Sequence, residues 1–149
     1  ERFGQPGEAY SSTVVGRAEI LRNRSYSMSG YLNGDDAALD PRVKMKESEL
    51  NNPSPDRIFV FIEEHEDSPW LGAFWVLPKE KLSVPSSVSW TSIPSDRHHQ
   101  GCNLTFADGH VGYNKWFWPK KISDGTHLSA ANAQELRDLR RLQESIPKP

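Results

Sequence analysis

The chain has 149 residues, of which 36% are hydrophobic, and 18 basic against 20 acidic side chains leave a formal net charge of −2. This length predicts a single domain over residues 1–149, and the small net charge argues against a nucleic-acid-binding protein that works by neutralising phosphates. The single cysteine, Cys102, excludes an internal disulfide and a zinc site built from several cysteines. The longest apolar runs have five residues, whereas a membrane-spanning helix needs about 20, so no segment of this sequence fits one.

The N-terminal part of the chain is polar and is followed by a short patterned segment. Residues 1–17 are polar and glycine-rich, and we expect them to be irregular. In the next segment we expect Tyr26, Met28 and Leu32 to be buried. An acidic loop over residues 33–40 offers the hard oxygen ligands that suit calcium, but it lacks the spacing of an EF-hand, which favours a solvated loop.

The strongest strand of the sequence lies over residues 57–63, which read RIFVFIE. It is rich in β-branched and aromatic residues and shows no polar alternation. A run of this kind is expected where both faces of a strand are covered, so we expect a helix on one of them. A second apolar strand is expected over residues 72–77.

Residues 101–116 are predicted to form a β-hairpin. Residues 108–109, Asp-Gly, suit a two-residue type I′ loop. The cross-strand pairs that would then share the apolar face are Leu104 with Tyr113 and Phe106 with Val111. A slip of one residue would mix the apolar and polar faces, because side chains alternate along a strand.

An amphipathic helix is predicted over residues 130–146. Its apolar positions recur at spacings of three and four residues: Ala133, Leu136, Leu139, Leu142 and Ile146. Charged residues, including Asp138, lie elsewhere on the helical wheel. Asn132 followed by Glu135 fits an N-terminal capping box, and Pro147 ends the helix.

Four of the five histidines lie between residues 98 and 127, close in sequence to Asp108. On the predicted hairpin, Asp108 lies at the turn with His110 beside it, and His98 precedes the first strand. The simplest interpretation is structural: His98 folds back to hydrogen-bond Asp108 and holds the turn, while Gly109 supplies a positive φ.

The same region offers a second interpretation, a site for a divalent ion such as zinc or calcium. The candidate ligands are His98, Asp108, His110, Glu64 and His65. With an open coordination position, such a site could activate water, which would make the protein a metal-dependent hydrolase. The spacing matches no defined ligand motif.

A third interpretation is a carbohydrate-binding module. The segment 116–121, WFWPKK, combines aromatic and basic residues that could stack on sugars, together with Trp70 and Trp75. The alternative is that these aromatic residues continue the hairpin and cover the core.

Several segments, in the same order, resemble the prepilin-type processing-associated His-x9-Asp-Gly proteins of bacteria. His98, nine residues and then Asp108-Gly109 match the signature of that family. The other matching segments are residues 24–32 (RSYSMSGYL), 58–68 (IFVFIEEHEDS) and 106–111 (FADGHV), followed by Trp116 and by residues 139–143 with Pro147. The likeness extends over about residues 24–147.

The resemblance implies an α+β, pilin-like globular head with an antiparallel sheet and a C-terminal amphipathic helix. It implies a pseudopilin, similar to general secretion pathway protein G of type II secretion: a structural, non-enzymatic subunit of a secretion or pilus-like filament. Such subunits have an N-terminal hydrophobic helix that anchors them in the inner membrane, with the head in the periplasm or outside. We expect this sequence to be the head without that helix, and its partners to be other pseudopilins and secretion-system subunits, with no nucleic acid. His98, Asp108 and Gly109 would be the family's structural motif.

Overall fold

The computed structural model describes residues 25–66, 68, 73–79, 88–120 and 128–149. The predictions made for residues 1–17 and for Trp70 lie outside these ranges. The elements are β1 (Tyr26–Ser29), β2 (Phe59–Glu63), β3 (Ala73–Phe74), β4 (Ser89–Trp90), β5 (Gly101–Phe106), β6 (Val111–Lys115), β7 (Leu128–Ser129) and α1 (Ala133–Glu144), with 3-10 turns at Asp35–Ala38, Glu47–Glu49 and Pro55–Arg57. The described part of the chain belongs to the α+β class.

The main sheet has five strands in the order β3-β1-β2-β5-β6. Its four strands β1, β2, β5 and β6 are antiparallel, but β3 pairs with β1 in parallel. The expected antiparallel sheet is therefore a mixed one. The chain reverses direction between β1 and β2 and again between β2 and β3. Strand β3 therefore runs parallel to β1, and it lies on the side of β1 away from β2. A small second sheet joins β4 and β7.

Strand β2 is covered on one face and only partly covered on the other. Ile58, Phe59 and Ile62 are fully buried, whereas Phe61 remains 42% exposed. A β-bulge between Phe59 and Phe61 adds one residue opposite β5 and turns Phe61 away from the core. The prediction that both faces of this strand are covered is wrong at Phe61.

The hairpin of β5 and β6 is present, but its register differs by one residue from the prediction. Leu104 faces Gly112 rather than Tyr113. The loop has three residues, 107–109: the Gly109 N–H donates to Phe106 O, the Phe106 N–H donates to His110 O, and Gly109 has a φ of 92°. This is a type I turn followed by a left-handed glycine, which adds one residue to the predicted loop and shifts every pair.

Helix α1 covers the inner face of the sheet. Asn132 caps it by accepting hydrogen bonds from the N–H groups of Gln134 and Glu135, as predicted. The predicted capping box does not close on Asn132, because the Glu135 carboxylate accepts from the Ala131 N–H instead. Its buried residues pack on the core around β2 and β5, which includes Leu139, Leu142, Ile146, Ile62, Leu104, Cys102, Phe74, Trp90 and Trp116. Burial raises the pKa of the Cys102 thiol, which fits a core residue.

The predictions for the segments around β1 and β3 need correction: Leu32 is buried as expected, but Met28 is only half-buried. Tyr26 is 43% exposed, and the buried aromatic residue is Tyr31, whose hydroxyl donates to Val76 O at 2.9 Å. The strand expected over residues 72–77 is limited to Ala73–Phe74 within the described residues.

Among the residues that the structure describes, none forms a helix long and apolar enough to cross a membrane.

Candidate functional site

The two ends of the His-x9-Asp-Gly segment lie at opposite ends of β5. His98 comes three residues before the strand, and Asp108 comes two residues after it. A six-residue strand is about 17–20 Å long, so these side chains are far beyond hydrogen-bonding distance. The predicted contact between His98 and Asp108 is therefore wrong, because the strand that separates them in sequence also separates them in space.

His98 instead contacts a buried carboxylate on the neighbouring strand. Its Nε2 lies 2.9 Å from Oε1 of Glu63, the last residue of β2. The Asn103 N–H of β5 donates to the other carboxylate oxygen at 2.8 Å, and the Arg97 guanidinium lies 4.0 Å away. Glu63 is only 4% exposed. This carboxylate thus joins β2, β5 and the loop before β5.

These partners decide the charge state of Glu63. Burial raises the pKa of its carboxyl, but the hydrogen bonds from the Asn103 N–H and from His98, together with the positive charge of Arg97, outweigh burial and hold the pKa below its usual value. Glu63 is therefore an anion at neutral pH.

The loop that carries His98 is held tightly. His99 and Gln100 both have positive φ, and the Tyr113 hydroxyl of β6 donates to His98 O at 2.6 Å. A Cβ atom on Gly101 would come within 2.5 Å of the Tyr113 hydroxyl, so only glycine allows this approach. These contacts hold the imidazole of His98 beside Glu63.

The Asp108 end of the motif is local and exposed. Its Oδ1 accepts a hydrogen bond from the His110 N–H at 3.1 Å and lies 2.6 Å from Nδ1 of the same residue. The His110 ring stacks on Phe106 with 4.3 Å between ring centres. Hydrogen bonds from the His110 backbone and side chain lower the pKa of the Asp108 carboxyl.

The remaining candidate ligands occupy a third position. Glu64 is buried, and its carboxylate accepts hydrogen bonds from the hydroxyls of Ser27 and Ser68. The backbone N–H of His65 donates to Ile93 O. The five predicted ligands are thus distributed over three places, and among the described residues no three histidine, cysteine or acidic side chains are arranged to hold a metal ion.

A buried ion pair was missed by the sequence analysis. Lys120 and Asp138 contact each other at 2.7 Å, and both side chains are 0% exposed. The helical wheel assigned Asp138 to the polar side. The signal that could have found it is its position four residues before Leu142, on the stripe that α1 buries.

The outer face of the sheet, opposite α1, carries exposed apolar side chains between polar ones. We define it by four side chains on three strands, β1, β2 and β6: Tyr26, Phe61, Val111 and Tyr113, which are 43%, 42%, 68% and 52% exposed. Met28, Phe61, Thr105 and Val111 are cross-strand neighbours and form one continuous row. Glu63 and His98 lie beside this row, because Glu63 is two residues from Phe61 on the same strand.

Within the described ranges, Trp75, Trp116 and Trp118 do not form a common exposed surface. Trp116 is buried, and its indole N–H donates to Ser95 O at 2.8 Å. Trp75 packs edge-on against Tyr31 at the core. Of the four tryptophans proposed to bind sugars, Trp118 is the one that the described residues leave exposed.

Comparisons with protein-family models, curated proteins and solved structures gave no match.

Proposed function

We propose that this chain is the globular head of a pseudopilin-like subunit that works by assembly into a filament of the type II secretion or type IV pilus kind. The proposal rests on the resemblance of residues 24–147 to the His-x9-Asp-Gly family. In such a subunit the hydrophobic helix before the head anchors it in the inner membrane of a bacterial envelope, and its partners are other subunits of the same filament.

The outer face of the sheet is the observation that supports this proposal most. A sheet needs a covering layer on its apolar face, and extended apolar patches on a protein surface mark interaction sites. Here α1 covers the inner face, while Tyr26, Phe61, Val111 and Tyr113 stand open on the outer one. An apolar helix that packs across β1, β2, β5 and β6 would bury these side chains.

The motif residues have contacts that suit a structural role. Glu63 and His98 fasten the loop before β5 to β2, and Asp108 with Gly109 shapes the hairpin loop. Both features stabilise the strands that carry the outer face. We therefore infer that the family motif maintains the shape of the surface on which the filament helix packs.

The first test is the coding sequence upstream of Glu1. A prepilin-peptidase cleavage site followed by about 20 apolar residues is expected. An upstream reading frame without them would contradict the proposal.

The second test uses the complete subunit in filament assembly. Val111→Asp puts a charge on the outer face, and we expect it to reduce incorporation into filaments at least tenfold while the head melts at an unchanged temperature. Leu39→Asp is the matched control, because Leu39 is also an exposed apolar residue, at 83% against 68% for Val111, and lies outside the sheet. Equal assembly of the two variants would contradict the proposal.

A further inference from the structure

A lysine and an aspartate contact each other in the interior. Lys120 Nζ lies 2.7 Å from Asp138 Oδ2, and neither side chain has any exposed surface. Lys120 belongs to the segment that follows β6, and Asp138 lies in the middle of α1. Burial of two charges is costly even when they are paired, so this pair needs a physical account.

The surroundings of the pair act on the charge of Lys120 in both directions. The Lys120 nitrogen lies 5.2 Å from the ring centre of Trp90 and 5.1 Å from that of Trp116. The two rings favour the ammonium. Burial lowers the pKa of Lys120, and Asp138, Glu135 and Asp96 partly offset this effect. A proton that moves from the ammonium to the carboxylate leaves an amine beside a carboxylic acid, and both are less costly to bury than ions.

Backbone donors surround the carboxyl group of Asp138. The Phe117 N–H lies 3.0 Å from each carboxyl oxygen, and the Trp118 N–H lies 3.1 Å from Oδ2. Fixed N–H groups of this kind stabilise the negative oxygen that forms when a nucleophile adds to a carbonyl carbon. The nucleophile, Lys120 Nζ, is already held in contact with the group that it would attack.

We propose that Lys120 and Asp138 condense to an intramolecular amide between Nζ and Cγ. The amine lone pair of Lys120 forms the N–C bond, the Phe117 and Trp118 N–H groups hold the oxyanion, and the C–O bond to the other oxygen breaks. Of the three ammonium protons, one stays on the amide nitrogen and two leave with that oxygen as water. Atoms and charge balance without an oxidant or another reactant.

A second buried acidic residue lies on the same helix as Asp138. Glu135 precedes Asp138 by three residues on α1, which places both on one face of the helix, and Glu135 is also buried. Its carboxylate helps to hold the charge on Lys120. Glu135→Gln is expected to slow the condensation and leave the fold intact.

The amide would fasten α1 to the segment that continues the hairpin. Helix α1 is the layer that closes the inner face of the sheet, and in a non-covalent structure packing and polar contacts such as those of Asp138 hold it there. A covalent link prevents its separation under a pulling force. This inference does not depend on the proposed function, because it concerns the chemistry of the chain alone.

Mass spectrometry of the purified chain tests the proposal. The intact protein is expected to weigh one water molecule less than its sequence. A tryptic digest should contain the peptide with Lys120 joined to the peptide with Asp138, and trypsin should not cut after Lys120. Lys120→Arg is expected to have its full calculated mass, whereas the matched control Lys44→Arg keeps the deficit.

Two results would overturn the proposal. One is a chain with its full mass after purification and prolonged incubation in native buffer. The other is a water deficit that maps elsewhere, for example to a succinimide at Asp108-Gly109, with the Lys120 and Asp138 peptides recovered separately. The decisive measurement is made on the unaltered chain, so poor folding of a variant does not weaken it.

Discussion

The two ends of β5 show how differently two halves of one sequence motif are built. At the first end, His98 contacts Glu63, which is 35 residues away and buried. At the second end, Asp108 contacts His110, two residues away and exposed. The long-range contact links separate strands in a place of low dielectric, whereas the local contact shapes one turn in water. Two residues that belong to one sequence motif therefore do not necessarily lie in one site of the folded protein.

The largest effect should come from removing the buried carboxylate. Glu63→Ala leaves the Asn103 N–H and His98 without their acceptor, and we expect a loss of about 2–3 kcal/mol in the free energy of unfolding. Urea denaturation measures this. Glu66→Ala is the control, because its ion pair with Arg97 is exposed and is worth about 0.5 kcal/mol or less. Equal losses for the two variants would mean that the buried hydrogen bonds of Glu63 do not stabilise the fold as proposed.

The Glu63 carboxylate should also make the free energy of unfolding depend on pH in the acidic range. Its pKa in the folded state lies below the ordinary value of 4.5, so the stability that it contributes is fully present above that pH. This stability is lost as the pH falls through the folded-state pKa. Thermal melts between pH 3 and 7 should therefore show a smaller acid destabilisation for Glu63→Gln than for the unaltered chain. Parallel pH profiles would contradict the assignment.

The turn at the second end depends on backbone conformation. Gly109 has a φ of 92° and open space around the position of a Cβ atom, so Gly109→Ala has a conformational cost without a clash. We expect a loss of about 1 kcal/mol. Gly109→Asn should lose less, because asparagine tolerates left-handed backbone better than alanine. An unchanged melting temperature for Gly109→Ala would contradict the left-handed conformation of Gly109 and the three-residue loop built on it.

The smallest expected effect is the coupling between the two ends. In a double-mutant cycle of His98→Ala and Asp108→Ala, the losses should add within experimental error, because the groups are far apart and share no partner. The cycle of Glu63→Ala and His98→Ala should depart from additivity by about 1 kcal/mol. A measurable coupling energy between His98 and Asp108 would indicate that the two side chains are in contact, as the sequence predicts.

Local patterns in the sequence determined the elements of this protein. The spacing of Leu139 and Leu142 and the Asn132 cap predicted α1, and the Asp-Gly turn signal predicted the hairpin, because these signals act between residues close in sequence. A local signal also limits what it can decide. The same Asp-Gly pair fits a two-residue or a three-residue loop, and that difference of one residue changes every cross-strand pair.

Only the tertiary structure decided which side chains meet. The sheet order places Glu63 beside His98, and the packing of α1 buries Asp138 against Lys120, although the sequence had placed His98 with Asp108 and Asp138 in solvent. The bulge in β2 turned Phe61 outward and opened the outer face. These outcomes depend on strand pairing and layer packing between distant segments, and the free energy of those contacts exceeds the preferences that short stretches of sequence express.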